Sequence, residues 1–447
     1  MAGLSDNLPD CQSVVSPSTG VTLGQDGTCN NIPTKNEMIS ERLNLSAIPA
    51  GFYMAECPAP FLKDPLAAQN STVDEMNCRF GCCIPCPAQN LFYKEGWAEK
   101  GFLATDVIRF VSAVLAFILL VSYLVLPDKR RHPSQLILNM AISTFLFSMP
   151  VFFSVGNPKR LQCAADSISS GAMGNNNLCA AQGAILIFGS FATCMWCAAL
   201  ILNLHVHTVW NSSYFANKYI YLNAVCWGVP TAFMSAALGL HAVKFEFANL
   251  CVVSMEYIFP IFFYPLAAIV CPCFLLHTIT FFYIAKIAVK EGVETEMSQS
   301  LSNGNMTADR TGVNGKHVMV AVKIQWRALL LAIVAIVSVL FYWLFYMTQM
   351  SRMTRLQNDP SLTMSWLECM LLNDDQNSCS AVLAPHLPPF PLMIVAEALV
   401  SSIGIWIFVM FAKRSLWREW NDLIYDMRSN FGRRGRLEKS GEQFYAL

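Results

Sequence analysis

Three groups of residues in this 447-residue chain have types and spacings that could do chemistry. The run Cys78-Arg79-Phe80-Gly81-Cys82-Cys83-Ile84-Pro85-Cys86-Pro87 packs four cysteines into nine residues. Such thiols either hold a zinc ion or close on one another. Zinc fingers use paired Cys-x-x-Cys knuckles, which this run lacks, so its spacing favours disulfides. The second group is His205, His207, His241 and His277. A zinc hydrolase would need such histidines to converge beside a carboxylate. His205 and His207 are two apart and point to different sectors of a helix, and no carboxylate motif accompanies them. The third group is ionisable residues among apolar neighbours: Glu397, His277, and the pair Asp106 and Arg109. Charge in hydrocarbon is expensive and is kept for a reason. Glu397 is expected either to bond a polar group or to line a ligand cavity. Cys271-Pro272-Cys273 has ligand-like spacing but apolar neighbours. The sequence reads as neither an enzyme nor a nucleic-acid binder, with no metal site and no cofactor.

The elements that must position these residues are apolar blocks. Hydrophobic residues make up 54% of the chain and charged residues 13%, about half the charge of a soluble domain. Seven blocks are long enough to cross a bilayer: 104–126, 136–155, 180–203, 219–240, 257–284, 324–347 and 392–411. The third is the centre of the reading. It runs from Cys179 to about Trp210, carries Gly183, Gly189, Ser190 and Ala192 among other small residues, and so lets neighbours approach closely. Pro260, Pro265 and Pro272 predict kinks in the fifth. Glu291–His317 reads as a mobile connector.

Lysine and arginine set the orientation. Seventeen fall in the loops and tail on one side and five in the short loops opposite. The N-terminus is therefore expected outside and the C-terminus in the cytoplasm, in the plasma membrane. Twelve cysteines then lie outside, seven of them before the first block, as an oxidising compartment requires. Cys369 and Cys379, in the third outer loop, belong to this disulfide set. The sequons at Asn44 and Asn70 become glycosylation sites, and those at Asn211 and Asn305 stay unmodified. Met1–Val15 lacks the apolar core of a secretory leader, so either the first membrane helix translocates the tail or the natural start lies elsewhere. Three regions result: a cysteine-rich extracellular segment (1–103), a seven-helix bundle (104–412), and a cytoplasmic amphipathic helix with a basic tail (413–447). Leu416, Trp417, Trp420, Leu423, Ile424 and Met427 recur at helical spacing, which suits the inner leaflet.

This all-α plan, N-out and C-in, with Cys179 opening the third helix and Cys251 in the second outer loop, resembles that of G-protein-coupled receptors. The resemblance implies a Cys179–Cys251 bridge, with a pairing through Cys163 as the alternative. Asn203-Leu204-His205 stands where the rhodopsin-like triplet would be, and several strings instead resemble the Frizzled/Smoothened class, above all its fungal members. They are Arg131-His132-Pro133-Ser134-Gln135-Leu136-Ile137, Cys226-Trp227-Gly228-Val229-Pro230, Cys251-Val252-Val253, Val322-Lys323-Ile324 and Gly404-Ile405-Trp406-Ile407-Phe408. Their order and spacing over residues 100–420 carry the resemblance. It implies a receptor that passes an extracellular or lipid signal to a cytoplasmic partner, with a heterotrimeric G protein as the expected one. It also implies an activation latch, a cation at Lys323 stacked on Trp406, with Arg327 as the alternative cation. The competing reading of Trp406 is an interfacial belt residue beside a snorkelling Lys323. A transporter or a non-signalling scaffold is the rival function, and membrane lipid and a second copy of the chain are the remaining expected partners.

Overall fold

The computed structural model describes residues 22–23, 29–30, 57–66, 78–126, 129, 134–303, 333–349, 352, 365–370, 375–412 and 414–429, apart from single positions at 58, 80, 213, 335, 368 and 415. Seven apolar helices form the bundle: α1 (Trp97–Val125), α2 (Ser134–Ser148), α3 (Asn177–Val209), α4 (Tyr219–Gly239), α5 (Tyr264–Asn303), α6 (Ile336–Gln349) and α7 (Phe390–Phe411). An eighth helix, α8, covers residues 416–429. The end of the bundle that carries the disulfides is termed the upper end.

The long central helix α3 packs on α2, α4 and α5. Its start is built by one residue. The Asn176 side chain caps the helix by accepting from the Leu178 and Cys179 amides at 3.0 and 3.2 Å, and its Nδ2 donates to the carbonyls of Arg160, Leu161 and Cys163. Two apolar cores sit one above the other. The upper includes Phe102, Phe191, Val243, Phe263 and Tyr346; the lower includes Leu119, Leu136, Met140, Trp196 and Ile407.

Three features differ from the sequence reading. α1 begins at Trp97, a full two turns before the expected 104, because Ala98 and Phe102 already belong to the buried upper core. α5 continues through Asn303, so the first half of the Glu291–His317 connector is helix. Propagating an existing helix needs no new nucleus, and the Glu, Met and Gln residues there favour it. α7 is broken: helix from Phe390 to Ser401 resumes at Ile403. Of the fifth block's prolines, Pro260 lies in a π-helical turn at Ile258–Phe263, Pro265 in the first turn of α5 and Pro272 inside α5.

Above the bundle, the strands β1 (Leu62–Lys63), β2 (Cys78–Arg79) and β3 (Cys82–Cys83) form a small antiparallel sheet in the order β1-β3-β2. The disulfides Cys57–Cys82 and Cys78–Cys83 staple it, and Cys86–Cys163 ties it to the loop between α2 and α3. Cys179 is joined to Cys251, and Cys369 to Cys379. Fully buried Trp366 stands edge-on to Phe61 and Phe92, packing the N-terminal segment onto the loop between α6 and α7.

Among the described residues, glycine lets one helix press on the backbone of another at two places. A Cβ on Gly189 of α3 would lie 2.6 Å from the backbone of Phe147 in α2, and one on Gly404 of α7 would lie 2.7 Å from the Ser112 carbonyl in α1. Gly228 of α4 faces open space. Gly189→Ala should therefore cost about 1–3 kcal/mol by overpacking, seen as a lower thermal midpoint in detergent, whereas Gly228→Ala should leave the midpoint unchanged or slightly higher.

Candidate functional site

The upper mouth of the bundle is filled by a hairpin, β4 (Val243–Phe247) and β5 (Leu250–Val253). Its tip, Ala248-Asn249, is 2% and 7% exposed, and Ala248 sits at φ 59°, a conformation disfavoured for any residue with a Cβ. Hydrogen bonds hold it there. Fully buried Gln182 of α3 accepts from the Cys251 amide at 2.7 Å and donates to the carbonyls of Asn249 and Pro150. Asn249 Nδ2 donates to Asp106 of α1 at 2.6 Å. On the hairpin's flank Glu246 accepts from the Met255 amide and meets Lys244 at 3.4 Å; burial pushes its carboxyl above the usual carboxylate range.

Beneath the hairpin lies a cavity of about 110 Å³. Its walls are apolar, with Leu250, Val252 and Val253 of β5 above and Phe147, Leu186 and Phe263 among the rest. One exception dominates. Arg109 of α1 and Glu397 of α7, both 2% exposed, form an ion pair on the wall through Nη2 and Oε1. Arg109 Nε also donates to Ser401 Oγ at 3.3 Å, and Ser401 Oγ to Glu397 at 3.4 Å. Arg109 Nη1 and Glu397 Oε2 are buried and have no hydrogen-bond partner among the described residues. The pair thus offers one free donor and one free acceptor beside an apolar space. A small polar group on an otherwise apolar molecule, able both to accept and to donate, would satisfy both.

A second cavity of about 100 Å³ lies below and is lined by Cys194, Cys197, Cys273, Trp406 and Ile407. The two share Thr193, Cys194, Val339 and Ile403 on their walls. They meet at the break in α7, where Trp406 Nε1 donates to Ser402 Oγ at 3.2 Å. Ser402 directly follows Ser401, the residue bonded to the ion pair.

Other expected residues fall elsewhere. His277 is 4% exposed on α5; neither ring nitrogen has a partner among the described residues, and it lines neither cavity. His205 Nδ1 lies 2.8 Å from Thr280 Oγ1. The Thr280 hydroxyl already donates to the Leu276 carbonyl, so it must accept from His205, which places the imidazole proton on Nδ1. His207 is exposed. Lys323, Arg327, Asn44 and Asn70 lie outside the described residues. Among the described residues, Asp64, Cys78 and Cys83 have metal-ligand proximity, but both sulfurs are in a disulfide and supply no thiolate. At the lower end α8 docks on the bundle through buried Leu416, Trp420 Nε1 to Ser122 Oγ at 2.9 Å, and Lys129 to Glu419 at 2.7 Å, leaving Trp417 and Ile424 exposed. The apolar face is therefore divided between the bundle and its surroundings.

Losing one member of a buried ion pair strands the other and costs about 3–5 kcal/mol, whereas replacing both with apolar groups of similar size is near neutral. Arg109→Met and Glu397→Leu should each lower the thermal midpoint of the purified protein, and the double variant should recover most of the loss.

The family model for the Frizzled/Smoothened membrane region matches residues 98–427. The chain is also similar to a protein of Aspergillus fumigatus named "G protein-coupled receptor gprM", at 24% identity over 397 residues, covering 86% of this chain and 79% of that one. The match takes in the seven apolar helices, the hairpin, the ion pair and α8 together. The chain therefore belongs to the Frizzled/Smoothened family and is a multi-pass membrane receptor of that family.

Proposed function

We propose that this receptor sits in the plasma membrane with its N-terminal segment outside and its C-terminus in the cytoplasm, and that it passes an apolar extracellular or lipid signal to a heterotrimeric G protein. The observation that carries the reading is the Arg109–Glu397 pair. It lines an apolar cavity, keeps one donor and one acceptor free, and bonds Ser401 beside the break in α7. A ligand whose polar group engages the free atoms competes with the pair and changes what Ser401 is bonded to. The lower half of α7 pivots at Ser402, and Trp406 moves with it.

Trp406 is where that movement is read. A cation from the start of the sixth helix, Lys323 with Arg327 as the alternative, stacks on its indole and holds the resting state. Such a contact is worth about 0.5–2 kcal/mol, enough to bias a two-state equilibrium roughly two- to thirty-fold. The Aspergillus relative's name supports a G protein as the partner. Nucleotide exchange on a panel of Gα subunits should rise above the wild-type basal rate with membranes carrying Trp406→Ala, and again with Lys323→Ala. Equal background exchange for all three, at normal surface expression, would remove the latch and favour a transporter or scaffold.

A further inference from the structure

The disulfide Cys86–Cys163 is flanked by two glutamines that converge on one atom. Gln89 follows Cys86 by three residues, and Gln162 immediately precedes Cys163. Both donate a side-chain N–H to the carbonyl of Ala248 at the hairpin tip, at 3.0 and 3.1 Å. Gln89 also accepts from the Ala248 amide at 3.1 Å, so its side chain pairs with that residue as a neighbouring strand would. Gln162 donates in addition to Asn249 Oδ1 at 2.7 Å.

From this clamp polar contacts continue inward. Asn249 bonds Asp106, which stands one turn above Arg109 on α1, and Arg109 bonds Glu397 and Ser401 of α7. The clamp belongs to the N-terminal segment and the α2–α3 loop, joined covalently; the tip it holds belongs to the hairpin that roofs the cavity.

We propose that this glutamine clamp is a gate, by which the disulfide-tethered N-terminal segment controls access to the upper cavity. The Ala248 N–H and C=O are buried, and a buried backbone group without a partner is costly. Displacing the Cys86–Cys163 unit withdraws both glutamines at once. The tip then has to reach water to satisfy its backbone, and it takes Leu250 and Val252 of the roof with it while Cys251 stays anchored to α3. The gate is therefore two-state, sealed or released. It rests on the ligand-cavity reading above for its purpose, but its motion can be measured with no ligand.

Cys194 lines the cavity and is a free thiol, which makes it the reporter. Full-length receptor in lipid nanodiscs is treated with a membrane-impermeant, positively charged methanethiosulfonate, and modification is read by peptide mass spectrometry. Buried Cys226, which lines neither cavity, serves as the reference. In Gln89→Ala/Gln162→Ala, losing the clamp's hydrogen bonds should raise the Cys194 labelling rate about tenfold or more, with Cys226 still protected. Gln89→Ala alone, at a half-buried position, should give a smaller rise in the same direction. Unchanged Cys194 labelling in both variants overturns the gate, and so does a rise shared equally with Cys226, which would mean general loosening. If the gate fails while Trp406→Ala still raises nucleotide exchange, the receptor reading survives without it.

Discussion

A guanidinium and a carboxylate taken out of water must find each other, and most of the upper half of this receptor follows from that requirement. Arg109 and Glu397 are 288 residues apart in sequence, yet each is tolerable only because the other is there. Their pairing sets α1 and α7 in one register. Lower on the same two helices, Gly404 lets α7 press against the backbone of Ser112. Removal of that Cβ and the placement of the charges are two parts of one interface. The pair stabilises the fold far less than it specifies it, since apolar residues of similar size would pack there at no great cost. What apolar residues would not supply is a donor and an acceptor on the cavity wall, or a bond to the serine next to the α7 break.

Around this pair the receptor is closed from above by polar contacts and from the sides by apolar ones. The hairpin tip carries backbone groups into a buried site, so each needs a partner. Amide side chains are suited to the task because each offers a donor and an acceptor together. Gln89, Gln162 and Gln182 serve the tip from three different elements, and Asn249 continues the line to Asp106. Breaks in regular helix occur at the π turn opening the fifth span and at Ser402, both beside the cavities. At both, the backbone has hydrogen bonds to rearrange.

Much of the architecture was legible in the sequence because lipid imposes simple rules. Apolar length marks the spans, and the small residues of α3 mark it as the crowded centre. Family strings tie Cys179 to Cys251 more securely than spacing could. The rest was hidden for identifiable reasons. Asp106, Arg109 and Glu397 stand out as charges, but nothing local pairs residues from the first and seventh helices. Gln89 and Gln162 look like ordinary loop amides, and only the Cys86–Cys163 bridge, one of many possible pairings, brings them to one carbonyl. The α7 break falls in Ser401-Ser402, with neither glycine nor proline at the break itself to announce it. Trp406 was singled out for a cation; in the described residues its indole N–H is bonded to Ser402, a link that places it at the α7 break.

The Arg109–Glu397 pair couples the hairpin to the α7 break in this account of the receptor, and hydrogen–deuterium exchange can follow both ends at once, since exchange reports local opening wherever it occurs. Receptor in nanodiscs would be compared with its Glu397→Leu variant. Coupling requires faster exchange at two separate places, the hairpin amides of 243–253 above and the amides around Ser402 below. Faster exchange confined to α7, with the hairpin as protected as in the wild type, would contradict it.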